Sequence, residues 1–272
     1  MTPERIFILS TGRSGSTFLA RTLGTLHPEL DLTHQLPGSR AMNIVGNLAA
    51  EGWVPWRALG GRLLRSREWV FGGSTADPLR SMALASAILA VDPATRGGIR
   101  VLHVVRDVRD FVTSFLNWSR GRLRRRFLHH VVPAWQPNPF LQSPKNHGTW
   151  ATMTKFEHFA WVWNYKNRLF SRLEGLVPYH RVRLEDLVRR DDGGVLRETL
   201  EFMGVSPSSE VAVPLERINK SAPGPIGPWR TWSSAQAIAL DRIAGSLMRT
   251  YRYGAEPEWK ALLETGHVPL NH

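Results

Sequence analysis

The sequence predicts an α/β fold, a central parallel sheet with helices on both faces, and three segments carry that prediction. Residues 6–9 are a short apolar run that reads as a buried strand. After a loop over 11–17, Phe18, Leu19, Thr22, Leu23 and Leu26 recur at helical spacing. Residues 101–105 are a second buried strand, and Phe111, Val112, Phe115 and Leu116 form an inward helical stripe behind it. Residues 69–75 read as a third strand, and a later helix over 195–203 is closed by Gly204 as a left-handed residue. Phe156, Phe159, Ala160, Trp163, Phe170 and Leu173 mark a long core helix. Leu240, Ile243, Ala244, Leu247, Met248 and Tyr251 mark another that closes the fold. A chain of 272 residues fits one such domain, so 1–272 is expected to be a single domain.

The loop between the first strand and its helix carries the chemistry. Residues 11–17 read Thr-Gly-Arg-Ser-Gly-Ser-Thr. A strand, a tight loop and a helix in that order aim several backbone N–H groups at one point, and the helix dipole favours an anion there. A loop for nucleoside triphosphates needs Gly-Lys-Ser/Thr, with Lys on the terminal phosphates and the hydroxyl on Mg²⁺. Here Gly15 follows Gly12 by three residues and the only cation inside the loop is Arg13. A planar, permanently charged fork suits an oxygen of an ester anion. A plain strand-to-helix turn is the alternative for such a string taken alone.

A second anion site is expected at residues 99–118. Arg106 stands at the carboxyl end of its strand, where open α/β sheets bind ligands. Asp107 and Asp110 have the spacing of a helix start, with Asp107 capping free N–H groups. Ser114 lies two helical turns beyond Arg106, so a hydroxyl and a guanidinium can close on one phosphate. The alternative makes Arg106 a salt-bridge partner of Asp107 or Asp110.

Together the two segments resemble the sulfotransferases that use 3′-phosphoadenosine 5′-phosphosulfate (PAPS). With Arg in the loop, the chain is closer to the tyrosylprotein and bacterial carbohydrate types than to the cytosolic detoxifying type. The resemblance implies a P-loop-like three-layer αβα sandwich and sulfuryl transfer to an acceptor hydroxyl. It implies that Arg13, Ser14, Gly15, Ser16 and Thr17 bind the 5′-phosphosulfate end, and that Arg106 and Ser114 bind the 3′-phosphate. Residues 182–187, Val-Arg-Leu-Glu-Asp-Leu, are similar to the family's Tyr-Glu-Asp-Leu strand end, with Leu184 in place of the Tyr. Residues 219–232 resemble the late loop over the 3′-phosphate and adenosine, which makes Lys220 and Arg230 cofactor-binding candidates. Trp229 and Trp232 either stack on a base or pack.

In-line transfer needs a general base, worth about 10² to 10⁴ in rate. Residues 27–37, starting His-Pro, look like the tyrosylprotein segment that carries a Glu pair, and His34 and Gln35 stand in those two places. His34, whose unperturbed pKa lies near neutrality, is the candidate base. Its alternative is an ordinary hydrogen-bonded strand-end His. His103, inside a strand, reads as a core residue. Asp77 is a weaker base candidate that reads better as a helix cap. Arg13 then balances charge on the bridging oxygen, so it is a catalytic as well as a binding candidate.

Composition bounds the rest. Without cysteine there is no disulfide framework, thiolate zinc site or redox dependence, and no acidic cluster demands a metal, so none is expected. Residues 6–9 are too short for a signal peptide and 82–91 too short for a bilayer span, which makes a cytoplasmic protein the expectation. The net charge of +12 steers an anionic nucleotide or acidic acceptor. It also keeps a polyanion- or nucleic-acid-binding protein open as an alternative, beside a P-loop nucleotide kinase. Residues 120–150 hold Arg120, Arg122, Arg124, Arg125 and Arg126, then Pro133, Pro137, Pro139 and Pro144, an irregular insertion. It reads either as a lid or acceptor-binding wall or as a solvated basic helix end with a loop. The acceptor class, carbohydrate, glycolipid, peptide or small molecule, is not encoded in any of these motifs.

Overall fold

A computed structural model describes residues 5–17, 19–20, 23, 27, 32–34, 38–55, 60, 64, 74–120, 136–137, 139, 147–188, 194–205 and 226–265. Five strands form one all-parallel sheet: β1 (Arg5–Ser10), β2 (Leu32–Thr33), β3 (Ser74–Thr75), β4 (Ile99–Val105) and β5 (Tyr179–Arg183). Their order is β2-β3-β1-β4-β5. The chain thus winds from β1 to one side of the sheet through β2 and β3, then crosses to the other through β4 and β5. β1 pairs with β4 from Arg5↔Ile99 to Ser10↔Val104, so both strands reach their carboxyl ends at the same level.

Alternation along these strands feeds two cores. Ile6 and Ile8 of β1, Leu102 and Val104 of β4 and Val182 of β5 share one face. There they pack with Leu19, Ala20 and Leu23 and with Leu196 and Leu200 of a later helix. Phe7, Leu9, Val101 and Val105 occupy the alternate positions and are equally buried. Helices on both sides therefore cover the sheet, the layered α/β architecture that the apolar runs predict. Burying one Ile or Leu side chain in such a layer contributes about 1.5–3 kcal/mol.

The chain divides into two compact units. The first comprises Met1–Val105, Ala134–Gln136 and Lys166–Lys220; the second comprises Arg106–Pro133, Pro137–Tyr165 and Ser221–His272. The first unit holds the sheet, α1 (Ser39–Ala50), α2 (Ser81–Ala90), α6 (Leu184–Leu187) and α7 (Gly194–Phe202). α2 is apolar and small-sided all round, and residues 81–88 are buried throughout. α7 ends in a Schellman motif: Gly204 (φ 79°) donates to Glu201 O at 2.9 Å and Val205 N–H to Leu200 O at 3.0 Å. The stop signal read at Gly204 is realised.

The second unit contains α3 (Val108–Arg120), α4 (His147–Thr152), α8 (Ser234–Leu240), α9 (Ser246–Thr250) and α10 (Pro257–Thr265). α5 (Lys155–Ser171), the expected long helix, runs from this unit into the first. The expected closing helix is present and continuous, with a π-helical turn, Asp241–Gly245, between α8 and α9. The widened turn keeps Leu240, Ala244, Leu247, Met248 and Tyr251 buried. α10 follows that helix and is not anticipated by its pattern.

His103 is the one titratable side chain buried inside β4. Its Nε2–H donates to Asn167 Oδ1 (2.8 Å) and its Nδ1 accepts from the Tyr179 hydroxyl (2.6 Å), with the Phe170 ring edge-on. Burial lowers its pKa to about 3, against the Asn167 hydrogen bond and with Arg181 nearby. Unfolded histidine binds its proton near pH 6.5, so the stability held by neutral His103 is present above that pH. It is lost as pH falls toward about 3. Between pH 7 and pH 4.5 this amounts to about 3 kcal/mol. Urea denaturation at the two pH values should show a shallower acid loss for His103→Gln, which does not titrate. Parallel losses in both proteins would refute the assignment.

Candidate functional site

The loop after β1 is built by its own hydroxyls. Gly12 (φ 83°), Arg13 (φ 53°) and Gly15 (φ 78°) all adopt left-handed backbone. For Arg this conformation is uncommon and is held in place by its surroundings. Ser14, fully buried, donates from Oγ to Gly12 O at 3.0 Å and shares a 3.0 Å hydrogen bond with Thr11 Oγ1. Ser16, Thr17, Leu19, Ala20 and Leu23 are helical, and Leu19 N–H bonds to Gly15 O at 2.9 Å. The helix therefore begins at the loop, and its first N–H groups face the loop without intrahelical partners.

Gly15 has two reasons to be glycine. Its φ is left-handed, and a Cβ there would overlap Cδ1 of Leu184, the first residue of α6. Leu184, which stands where the resembled family has Tyr, thus packs against the loop. Immediately before it, Arg183 makes a two-pronged ion pair with Asp186 (Nε–Oδ2 2.5 Å, Nη2–Oδ1 2.7 Å) that fixes the turn out of β5. Glu185 and Asp186 read as turn residues, and Asp186 takes that place.

His34 follows β2 directly and is half-buried. Its Nε2 lies 3.3 Å from Thr17 Oγ1, so the candidate base and the loop are brought together. Asp77 sits after β3 in a different role. Its Oδ1 accepts from Leu79 N–H at 3.0 Å and Oδ2 accepts from the Ser39 hydroxyl, while Arg80 Nε stands 3.6 Å from Oδ2 and donates to Ser39 Oγ at 3.0 Å. All three side chains are buried; Asp77 holds the turn at 77–79, and the helix that follows starts later than expected, at Ser81 with Arg80 as its N-cap, so Asp77 is not its cap.

In the second unit, Arg106 is half-buried, and its carbonyl accepts from Trp163 Nε1 at 2.9 Å. Asp107 caps α3, accepting from Arg109 N–H at 2.8 Å. Asp107 forms an ion pair with Arg109. That guanidinium is fully buried and makes a fork with Asp107 (Nε–Oδ1 3.0 Å, Nη2–Oδ2 2.5 Å). A second fork reaches Glu256 (Nη1–Oε2 3.0 Å, Nη2–Oε1 2.7 Å). Arg109 also lies over the rings of Trp229 (4.1 Å) and Trp259 (5.1 Å). Burial alone lowers its pKa, but the hydrogen bonds and charges of Asp107 and Glu256 raise it above the ordinary arginine value. Burial raises Asp110 above the usual carboxylate range, reinforced by Asp107 and opposed by Arg106, Arg109 and Arg230. Arg106 and Arg230, separated by more than a hundred residues of chain, therefore act on one carboxyl.

Ser114 is buried on α3. Arg230 is exposed, 4.4 Å over the Trp229 ring and 3.7 Å from Glu258. Trp229 and Trp232 are packed: Trp229 meets Trp259 edge-on and Trp232 meets Phe156 and Trp259. Lys220 and most of the 120–150 insertion lie outside the described residues. Sequence reading missed Arg109. Its local signal, an Arg two residues past a capping Asp and beside an apolar stripe, does not announce partners at 229, 256 and 259. Among the described residues no three His, Asp or Glu side chains cluster to hold a metal, and no helix is long and apolar enough to cross a membrane.

No family model and no curated relative matches the chain. Among solved structures it is similar to a sulfotransferase from Alicyclobacillus acidocaldarius, at 12% identity and a TM-score of 0.47 over 96% of this chain and 100% of that one. It is also similar to the sulfotransferase domain from the curacin biosynthetic pathway, at 16% identity and a TM-score of 0.40 over 97% of each chain.

The loop geometry makes a direct prediction. Gly15→Ala should cost about 1–3 kcal/mol, through left-handed backbone and overlap with Leu184 together. Adding Leu184→Ala removes only the overlap, so a double-mutant cycle in chemical denaturation should recover part of the loss. Full recovery would mean that the backbone conformation contributes nothing.

Proposed function

We propose that this chain is a sulfotransferase, moving a sulfuryl group from PAPS to an acceptor hydroxyl. One observation carries the reading: the left-handed, hydroxyl-stapled loop with Arg13 ends the central parallel strand, beside a strand whose next residue but one after Val104 is Arg106. The donor set fits the nucleotide. Residues 11–17 contain a guanidinium, hydroxyls and a helix start but no carboxylate, which suits an anion and leaves no Lys for a triphosphate.

In this reading Arg13, Ser14, Gly15, Ser16 and Thr17 hold the 5′-phosphosulfate, and Arg106, Ser114, Lys220 and Arg230 hold the 3′-phosphate. The Ser14 hydroxyl is engaged within the loop, so its share falls to its backbone N–H. His34 takes the acceptor proton as the acceptor oxygen attacks sulfur. The bond between sulfur and the bridging phosphate oxygen breaks, and Arg13 balances the charge left on that oxygen. Thr17, hydrogen-bonded to His34, links the base to the donor loop. No metal is assigned a role. The acceptor is a hydroxyl of a carbohydrate, glycolipid, peptide or small molecule.

Thermal denaturation tests the class. Adenosine 3′,5′-bisphosphate should raise the melting temperature, and AMP, ADP and ATP with Mg²⁺ should do so far less. Selective stabilisation by ATP and Mg²⁺ would instead identify a nucleotide kinase, and salt-sensitive DNA binding without nucleotide preference a polyanion binder. A second experiment separates the roles. Arg106→Ala should abolish bisphosphate binding, whereas His34→Ala should leave it intact and lower turnover about 10² to 10⁴-fold. Equal binding losses in both variants would contradict this division.

A further inference from the structure

We propose that Arg109 is a positioning residue for the 3′-phosphate subsite, an inference that rests on the sulfotransferase reading and deepens it. Every side chain involved belongs to the second unit. Arg106 precedes α3 by two residues, so its backbone is set by the start of that helix. Asp107 defines this start by capping the Arg109 N–H, and the same carboxylate holds one edge of the Arg109 guanidinium. The other edge holds Glu256, immediately before α10. One buried guanidinium thus locks the first turn of α3 onto the C-terminal segment.

The same group also sets Arg230. Two guanidinium groups lie over the Trp229 ring, Arg109 at 4.1 Å and Arg230 at 4.4 Å, and Trp229 and Trp259 meet edge to face. Each planar cation gains from the ring face, and more so when desolvated. Removing Arg109 deprives Trp229 of one of the partners that hold the ring over which Arg230 lies. Arg106 and Arg230 both act on the carboxyl of Asp110, on the first turn of α3. A 3′-phosphate needs the two cations at a set distance, and Arg109 supplies that distance without contacting the ligand. A lysine cannot replace it, because only a planar fork binds two carboxylates in plane while stacking on an indole.

Binding of adenosine 3′,5′-bisphosphate and of AMP, which lacks the 3′-phosphate, is measured by calorimetry for the wild type, Arg109→Lys and Glu256→Gln. The wild-type preference for the bisphosphate should fall about tenfold in Arg109→Lys and about threefold in Glu256→Gln, with AMP binding unchanged in both. In turnover assays the KM for PAPS should rise while kcat stays within about twofold. Glu256→Gln keeps the shape of a half-exposed side chain and serves if Arg109→Lys does not fold. Parallel weakening of both nucleotides would mark Arg109 as merely structural and overturn the proposal, as would variants that keep the wild-type preference. A wild type with no preference for the bisphosphate overturns the sulfotransferase reading itself, and this inference with it.

Discussion

Burial of β1 and β4 on both faces and both edges is the constraint that organises this molecule. Each strand lies between two neighbours, and its side chains enter apolar layers on either side. Polar chemistry then has little place in the middle of the strand and collects toward its ends. Thr11 and the loop follow β1, His34 follows β2, Asp77 follows β3 by one residue, Arg106 follows β4 and the Arg183–Asp186 pair straddles the end of β5. Parallel strands end at one edge of the sheet, so the stops of β1, β2, β3 and β5 lie there. His103 is the exception that shows the rule. It is tolerated in β4 only as a neutral ring with both nitrogens satisfied, which removes it from proton transfer at neutral pH.

What could be read from the sequence follows from the same constraint. Two-sided burial writes a continuous apolar run, so β1 and β4 are legible from residues 6–9 and 101–105 alone. Local stop chemistry is legible too: Gly204 closes α7 as expected because left-handed backbone strongly favours glycine at that position. The two-residue strands β2 and β3 leave almost no periodicity. The reading of a strand over 69–75 falls partly outside the described residues, and its described end is Ser74–Thr75. The π-helical turn at Asp241–Gly245 is invisible because an extra residue in one turn keeps the same apolar positions buried.

The candidate site divides along similar lines. Arg13, His34 and Arg106 are conspicuous because each is a polar residue at the end of an apolar run. Leu184, which stands where the resembled family has Tyr, packs against the loop at Gly15, where left-handed backbone and that contact both favour glycine. Arg109 is hidden for a physical reason. Its partners Trp229, Glu256 and Trp259 are supplied by segments more than a hundred residues away, and no local spacing encodes a cation with two carboxylates and two indoles.

Burying a guanidinium is costly unless its donors are satisfied, and replacing such a network by apolar groups is often neutral for stability. The Asp107–Arg109–Glu256 arrangement is therefore better understood through what it fixes than through what it stabilises. A hydrophobic plug at position 109 fills the same volume, but it sets no angle between α3 and the ring of Trp229. An ion fork does, because its hydrogen bonds are directional and both carboxylates lie in its plane. The exposed Arg230–Glu258 pair, by contrast, is a surface contact worth little and easily exchanged for another anion. A rigid buried fork beside a replaceable surface pair lets the surface partner of Arg230 change without moving the framework below it.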